Sequence, residues 1–137
     1  MSTFKLVIIS PQKPVLESEA QSVTFTTTEG QITVLPGHMS VFSTISPGEV
    51  IVRGTDGETS LVVGGGFANV THDSVTLLTE FGVRSDDIDQ EQVMEAKRRA
   101  EEILKEQVDA KASASAQASL ARSLLELKVA QKRRPRR

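Results

Sequence analysis

Three acidic residues near the middle of the chain have the spacing of the first ligands in a calcium-binding loop. Asp87, Asp89 and Glu91 alternate with other residues, as the first oxygen ligands of such a loop do. The next position is Gln92, although the sharp turn of a calcium loop requires glycine there. We therefore reject a calcium site.

Other residues that could bind a metal ion or act in catalysis are few. His38 and His72 are the only histidines, and the chain has no cysteine. Two histidines without a clustered third ligand are a poor zinc site, and the lack of cysteine removes disulfides and thiolate nucleophiles. No Ser-His-Asp or paired-carboxylate arrangement is evident in the spacing. The sequence therefore predicts a protein that is not an enzyme, with no metal site and no cofactor.

A run of three glycines, Gly64-Gly65-Gly66, resembles the start of a dinucleotide-binding loop. The third glycine of that motif is missing, and the residues that follow have the pattern of a strand instead of a helix. We attribute the run to a crowded bend of a sheet, where side chains do not fit.

The net charge of −2 hides an uneven distribution. Residues 1–84 contain four basic and eight acidic residues, residues 85–127 contain six and ten, and residues 128–137 contain six basic and no acidic ones. The basic tail, which includes Lys132, Arg133 and Arg134, is either a solubilising end or a contact for an acidic partner surface. We expect no nucleic-acid partner, because the chain has no Trp or Tyr to stack on bases.

The chain changes character after Arg84. Before it, apolar and polar residues alternate and Gly or Pro recurs about every ten residues; after it there is no Gly, and no Pro until Pro135. Apolar residues recur about every two positions before Arg84 and about every 3.6 positions after it. This change in spacing predicts strands followed by helices. We therefore expect two domains, a β-sandwich in residues 1–84 and a helical hairpin with a basic tail in residues 85–137.

The first part reads as eight to ten short strands joined by tight turns, one of them an Asp56-Gly57 hairpin turn. This pattern is typical of an antiparallel β-sandwich or flattened barrel. The expected strands are Phe4–Ile9, Val15–Ala20, Ser22–Thr28, Gln31–Val34, Met39–Ile45, Glu49–Arg53, Thr59–Val63, Phe67–Val70 and Ser74–Thr79.

In the second part, Asp89 has the type and position of a helix N-cap. We expect one helix after it, a weak break in residues 109–115 and a second helix in residues 117–133, forming an antiparallel hairpin. The apolar stripes are narrow and rich in Ala, so the packing should be thin and the hairpin should open easily for a partner. A hairpin that stays docked is the alternative.

Several segments, in this order along the chain, match one known family. They are residues 29–38 (EGQITVLPGH), 63–67 (VGGGF) with Asn69-Val70, 75–78 (VTLL), Ile88-Asp89, 94–101 (MEAKRRAE) and 118–122 (ASLAR). In these segments the chain resembles the epsilon subunit of bacterial rotary (F-type) ATP synthases. The resemblance implies a ten-stranded sandwich followed by a two-helix hairpin, in a non-catalytic subunit of the central stalk.

The resemblance also implies partners and residues. The gamma subunit and the membrane c-ring would bind the first domain, with Glu29, Gln31 and His38 at the c-ring, although some relatives carry an acidic residue where this chain has Gln31. The hairpin would turn about a hinge and extend into the alpha/beta catalytic head, where it blocks ATP hydrolysis. The residues implied in the hinge and the regulatory helices are Ser85, Asp86, Asp87, Ile88, Asp89, Arg98, Arg99, Arg122, Lys132, Arg133 and Arg134.

Some members of the family bind ATP through an Ile/Leu-Asp-x-x-Arg-Ala motif. Here Ile88-Asp89 is present, but Gln92 and Val93 replace the Arg and Ala. A supporting basic position is met by Arg122, whereas Glu126 replaces another. Glutamine cannot supply a bidentate phosphate contact, and a carboxylate beside a triphosphate opposes binding. We therefore expect weak or absent ATP binding.

Three interpretations of function remain open at this point. The first is a rotor subunit that couples gamma to the c-ring and inhibits hydrolysis through its helices; the second keeps the coupling with a permanently docked hairpin. The third is an unrelated β-sandwich binding module whose helices dimerise it. With no leader and no long apolar run in the sequence, we expect a peripheral protein on the cytoplasmic face of the bacterial inner membrane, held there only through its complex.

Overall fold

The computed structural model of the chain describes residues 2–37, 40–106 and 110–132. It divides the chain into two compact units, Met1–Arg84 and Ser85–Arg137. Within the described residues, neither helix has the length and apolar character that crossing a membrane would need.

The first unit consists of ten strands in two sheets, as expected for a β-sandwich. The structure adds a strand that the sequence pattern did not locate, the three-residue β10. The strands are β1 (Phe4–Ile9), β2 (Pro14–Ala20), β3 (Ser22–Thr27), β4 (Gly30–Val34), β5 (Val41–Ile45), β6 (Gly48–Gly54), β7 (Gly57–Val63), β8 (Gly66–Val70), β9 (Ser74–Thr79) and β10 (Gly82–Arg84).

The first sheet has the strand order β2-β1-β9-β8-β5, and the second has the order β10-β7-β6-β3-β4. The pair β1–β9 is parallel, and the other described pairs are antiparallel. Because successive side chains point to opposite faces, one apolar set from each strand meets in the core. Its largest fully buried members are Phe25, Leu6, Ile8, Leu61 and Leu77.

The expectation that the three-glycine run marks a crowded bend is confirmed. A side chain on Gly66 would overlap the backbone carbonyl of Leu78 on the neighbouring strand, and one on Gly64 would lie 2.7 Å from the ring of Phe81. Only glycine fits at position 66, since any side chain there would displace the paired strand β9.

The second unit begins with a 3₁₀ turn, Ser85–Asp87, followed by helices α1 (Gln90–Glu106) and α2 (Ala110–Lys132). The Asp89 carboxylate caps α1 as predicted. Its Oδ1 accepts hydrogen bonds from the backbone N–H of Glu91 at 3.0 Å and of Gln92 at 3.3 Å. These bonds satisfy two of the amides that the first turn of a helix leaves without partners.

The expected start of the second helix was wrong. Helix α2 begins at Ala110 instead of Gln117, so residues 110–115, which were predicted to form a break, are helical. The segment is rich in alanine, which has the highest helix propensity, and it contains no glycine or proline. Its small side chains also allow a close approach to α1, because Ala112 and Ala116 line a groove together with Ala96 and Ala100.

Candidate functional site

Helices α1 and α2 enclose a groove of about 540 Å³ near the start of α1. Five of the positions singled out in the sequence converge there: Gln92, Val93 and Arg99 from α1, and Arg122 and Glu126 from α2. The full lining is Gln92, Val93, Glu95, Ala96, Arg99, Ser119, Arg122, Ser123 and Glu126. We call this the interhelix groove.

Carboxylates pair with both arginines of the interhelix groove. Arg122 Nε lies 3.3 Å from Glu126 Oε1, and the side chain of Glu126 is only 11% exposed. Arg99 Nη1 lies 3.7 Å from Glu95 Oε1, in a more exposed position. A phosphate group would have to approach the same carboxylates that already hold the guanidinium groups. Each of these anionic neighbours repels a triphosphate, so the lining disfavours nucleotide binding.

Other predicted residues of the helical unit lie elsewhere. Arg98 forms an ion pair with Glu102 at 2.9 Å and is not part of the groove lining. Lys132 is the last residue of α2 and is exposed, whereas Arg133 and Arg134 lie outside the described residues.

The predicted hinge forms the 3₁₀ turn before α1. Ser85 is buried, while Asp86 and Asp87 are exposed. Ile88 is half-buried, and its amide donates a hydrogen bond to the carbonyl of Ser85 at 3.4 Å. The turn is short, and Ser85 is its one buried residue.

Two of the residues expected at the c-ring, Glu29 and Gln31, lie within the described residues. Glu29 lies in the turn between β3 and β4, and Gln31 is exposed on β4, which is an edge strand of the second sheet. His38 lies outside the described residues. Gly37, just before it, follows the other end of β4 and donates its amide hydrogen to the carbonyl of His72 at 3.3 Å. The described part of this segment is thus a turn, an edge strand and a second turn.

Sequence reasoning missed an apolar cluster on the outer face of the first sheet. We call it the Phe67 patch and define it as Ile9, Phe42, Phe67 and Leu78, which are 36%, 67%, 47% and 46% exposed. The rings of Phe42 and Phe67 stack, with centroids 5.6 Å apart. Ile9, Phe67 and Leu78 each stand next to a buried residue of their strand, but the sequence alone does not say which face of a strand is covered.

Residue types that ligate metals are not clustered in the described parts of the chain. In the ranges 2–37, 40–106 and 110–132, no three His, Asp or Glu side chains are grouped so that they could hold a metal ion. The features that stand out are two grooves, an apolar patch and a charged helix pair. Such features bind other macromolecules more readily than they activate a substrate.

Two family matches cover the chain in sequence. Residues 3–85 match the family described as ATP synthase, Delta/Epsilon chain, beta-sandwich domain. Residues 86–131 match the family described as ATP synthase, Delta/Epsilon chain, long alpha-helix domain. The boundary between the matches falls within one residue of the boundary between the two structural units, Met1–Arg84 and Ser85–Arg137.

Curated relatives span the same length. The ATP synthase epsilon chain of Bordetella avium is 33% identical over 138 residues, covering 100% of this chain and 98% of the relative. The ATP synthase epsilon chain of Chromobacterium violaceum is 35% identical over 131 residues, covering 94% of each chain.

Solved structures share the fold. A chain in the Euglena gracilis mitochondrial ATP synthase assembly OSCP/F1/c-ring has a TM-score of 0.66 at 23% identity, covering 96% of this chain and 79% of that one. A chain in the central stalk/c-ring of the Tetrahymena thermophila mitochondrial ATP synthase has a TM-score of 0.58 at 15% identity, covering 94% and 97%.

Proposed function

The chain belongs to the ATP synthase delta/epsilon chain family, and from this premise we propose that it is a non-catalytic rotor subunit that joins the gamma subunit to the c-ring. The observation that carries the proposal is the match of both units, in order, to that family. Relatives that cover almost the whole chain are named ATP synthase epsilon chain. Family membership rules out the alternative of an unrelated sandwich module.

We place the c-ring contact on the segment that begins at Glu29. The Glu29 turn and the exposed Gln31 present polar groups beside the free edge of β4, and His38 comes four residues after Val34 in the sequence. Unpaired backbone groups on an edge strand and polar side chains on a turn suit docking onto polar loops. No charge pair is needed at Gln31, because a neutral amide both donates and accepts hydrogen bonds.

We propose a second role for the helical unit, namely inhibition of ATP hydrolysis by insertion into the alpha/beta head. The observation that favours it is the seam between α1 and α2, where Ala96, Ala100, Ala112 and Ala116 line one groove with a single larger aliphatic residue, Ile103. Alanine buries little apolar area, so opening such a seam costs less than opening a seam of Leu or Ile. The arginines of α1 and the basic end of α2 would then meet acidic surfaces of the head.

The competing form of this proposal is a hairpin that stays folded while the first unit alone couples gamma to the ring. Buried side chains in the last turns of α2, namely Leu127, Val129 and Ala130, favour it. In either form ATP does not control the hairpin, because the lining of the interhelix groove disfavours a triphosphate.

We also propose that the chain lies at the cytoplasmic face of a bacterial inner membrane and reaches the membrane only through its complex. Bacterial relatives of nearly full length support the bacterial assignment.

Isolation of the complex tests the proposed function. The full-length chain carrying an affinity tag is expressed in its own organism, and detergent-solubilised membranes are purified on the tag. We expect gamma, the alpha/beta head and the c-ring to copurify, with gamma and this chain in equal amounts by quantitative mass spectrometry. Recovery of the chain without gamma and the c-ring would contradict the proposal.

A further inference from the structure

The turn between β6 and β7 joins Asp56 to Gly57, and both residues are exposed. Asp56 is the only aspartate in the sequence that precedes a glycine. The side-chain carboxyl of an aspartate can react with the backbone nitrogen of the next residue to form a cyclic imide, and a side chain on that residue obstructs the approach. Glycine has no side chain, so it allows the closest approach. The sequence thus places a reactive dipeptide in an exposed turn.

The Asp56 carboxylate is free to turn toward its own backbone. Within the described residues, no hydrogen bond or ion pair holds it. Of the charged residues that flank the turn, Arg53 is paired with Glu58, since Arg53 Nε lies 3.1 Å from Glu58 Oε1. No ion pair therefore has to break before the Asp56 carboxyl reacts.

Gly57 has the conformational freedom that ring closure requires. Its φ is +119°, and apart from its chain neighbours no atom lies within 4 Å of the point where a Cβ would stand. Gly57 pairs with Gly54 only at the end of the β6–β7 ladder, where backbone pairing opens at little cost. The peptide unit between Asp56 and Gly57 can then rotate until its nitrogen faces the Asp56 carboxyl carbon. The ring would form in open space, without displacing another strand.

Two of the other described aspartates are held by hydrogen bonds. The Asp73 carboxylate accepts one from Thr71 Oγ1 at 3.4 Å, and the amide of Ser74, which would have to attack, donates to Thr71 Oγ1 at 3.2 Å. The Asp89 carboxylate accepts two amide hydrogen bonds at the start of α1. Both the carboxylate and the next amide of Asp73 would have to be released before it could react.

Asp86 and Asp87 lie in the 3₁₀ turn before α1, and each is followed by a residue with a side chain. The amide after Asp87, that of Ile88, donates to the Ser85 carbonyl at 3.4 Å. The β-branched side chain of Ile88 also crowds the approach to its own nitrogen. Among the described aspartates, Asp56 is thus set apart by the combination of a free carboxylate and a following glycine.

We propose that Asp56-Gly57 is a site of spontaneous isoaspartate formation in the folded chain. The Gly57 nitrogen bonds to the side-chain carboxyl carbon of Asp56 (Cγ), the Cγ–OH bond breaks, and the amide proton leaves with the hydroxyl group as water. Water then opens the imide at either carbonyl carbon. Opening at the backbone carbonyl leaves the main chain running through the Asp56 side chain, which is the isoaspartyl form. The conversion consumes no oxidant or reductant and needs no enzyme.

The product keeps the sheet. Isomerisation adds one methylene group to the backbone of the turn and leaves the former backbone carbonyl as a free carboxylate. The flanking strands pair from Gly48↔Val63 to Arg53↔Glu58, so the change is confined to the closing pair of the hairpin. The new carboxylate is the group that isoaspartate methyltransferases esterify with a sulfonium methyl donor. The aged chain is therefore a substrate for this class of enzyme.

Labelling of the full-length chain with heavy oxygen tests the proposal. The folded chain is incubated at neutral pH in heavy-oxygen water and digested, and electron-transfer fragmentation distinguishes isoaspartate from aspartate in its peptides. We expect labelled isoaspartate at Asp56 and none at Asp73 over the same period. The variant Asp56→Ser, which keeps a turn-forming residue, should lose the signal, whereas the matched variant Asp73→Ser should keep it. Isoaspartate methyltransferase with a labelled methyl donor should modify aged wild type and not aged Asp56→Ser.

A parallel incubation of the chain unfolded in guanidinium chloride separates the effect of structure from that of sequence. Unfolding releases the hydrogen bonds around Asp73, so it should raise the rate there by a larger factor than at Asp56. Circular dichroism confirms that wild type and both variants are folded before incubation. If the folded chain forms no isoaspartate at Asp56, whether or not the unfolded chain does, the proposal is overturned. Labelling of another described aspartate as fast as Asp56 in the folded chain would overturn it as well.

Discussion

Arg122 and Glu126 lie one turn apart on α2, with the guanidinium Nε 3.3 Å from a carboxylate that is only 11% exposed. Residues four positions apart on a helix are neighbours, so the spacing itself allows the pair. The pair also affects how the groove could bind a phosphate group. The arginine that would have served a phosphate group in the interhelix groove already has an anionic partner.

Weak ATP binding is expected from this ion pair. We expect isothermal titration calorimetry to show millimolar or weaker affinity for ATP in the full-length chain. Glu126→Gln keeps the shape and removes the negative charge, so it should bind ATP more tightly than wild type. Glu102→Gln, on α1 outside the groove lining, is the control and should leave the affinity unchanged. Micromolar affinity in wild type would contradict the account of the groove.

The crowded bend at Gly66 gives a stability prediction. Gly66→Ala forces a methyl group against the Leu78 carbonyl, so β8 and β9 must separate. Overpacking of this kind lowers the free energy of unfolding by about 1–3 kcal/mol. Gly48→Ala is the control, because its added methyl group would meet side-chain and backbone atoms no nearer than 3.7 Å. Urea denaturation of both variants, followed by circular dichroism, measures the difference, and equal stability would show that the bend is not crowded.

The proposed c-ring contact predicts a loss of coupling. Glu29→Ala/Gln31→Ala removes the polar groups from the turn and the edge strand without touching the core. In reconstituted vesicles we expect lower ATP-driven proton pumping per ATP hydrolysed. The exposed Asp56 lies in the β6–β7 turn, at the opposite end of the second sheet from Glu29, so Asp56→Ala should pump like wild type. If the two variants behave alike, the contact does not lie at Glu29 and Gln31.

Inhibition by the helical unit is tested by removing it. ATP hydrolysis by the gamma-containing head is measured with the full-length chain and with a chain ending at Ser85, close to the boundary between the two structural units. We expect the full-length chain to suppress turnover and the shortened chain to bind without suppressing it. Equal turnover with both chains bound would favour the alternative, a hairpin that stays folded while the first unit couples the rotor.

Much of the fold was predictable because local patterns dictate it. The apolar run Phe4–Ile9, which Ser10-Pro11 ends, located β1 to the residue, and the N-cap type of Asp89 located the start of α1. The strand β10 was missed because three residues are too few to show alternation. The start of α2 was missed because an alanine-rich segment has no apolar stripe, although its helix propensity is high.

The sites were less predictable than the fold, since they depend on contacts between distant segments. Gln92 and Glu126 are far apart in sequence, and it was the family resemblance, not the spacing, that linked them before the structure placed both in one groove. The Phe67 patch shows the same limit. Phe25 and Phe67 both lie in predicted strands, yet Phe25 is fully buried and Phe67 is 47% exposed, because the strand register decides which face each occupies.

Restoration of proton pumping tests the central claim most directly. Membranes containing the rest of the ATP synthase but lacking this subunit are given the purified full-length chain, and ATP-driven acidification is followed with a pH-sensitive dye. We expect pumping to rise with added chain and to saturate at one copy per gamma subunit. Membranes that bind the chain but gain no pumping, or that do not bind it at all, would contradict its role as the link between gamma and the c-ring.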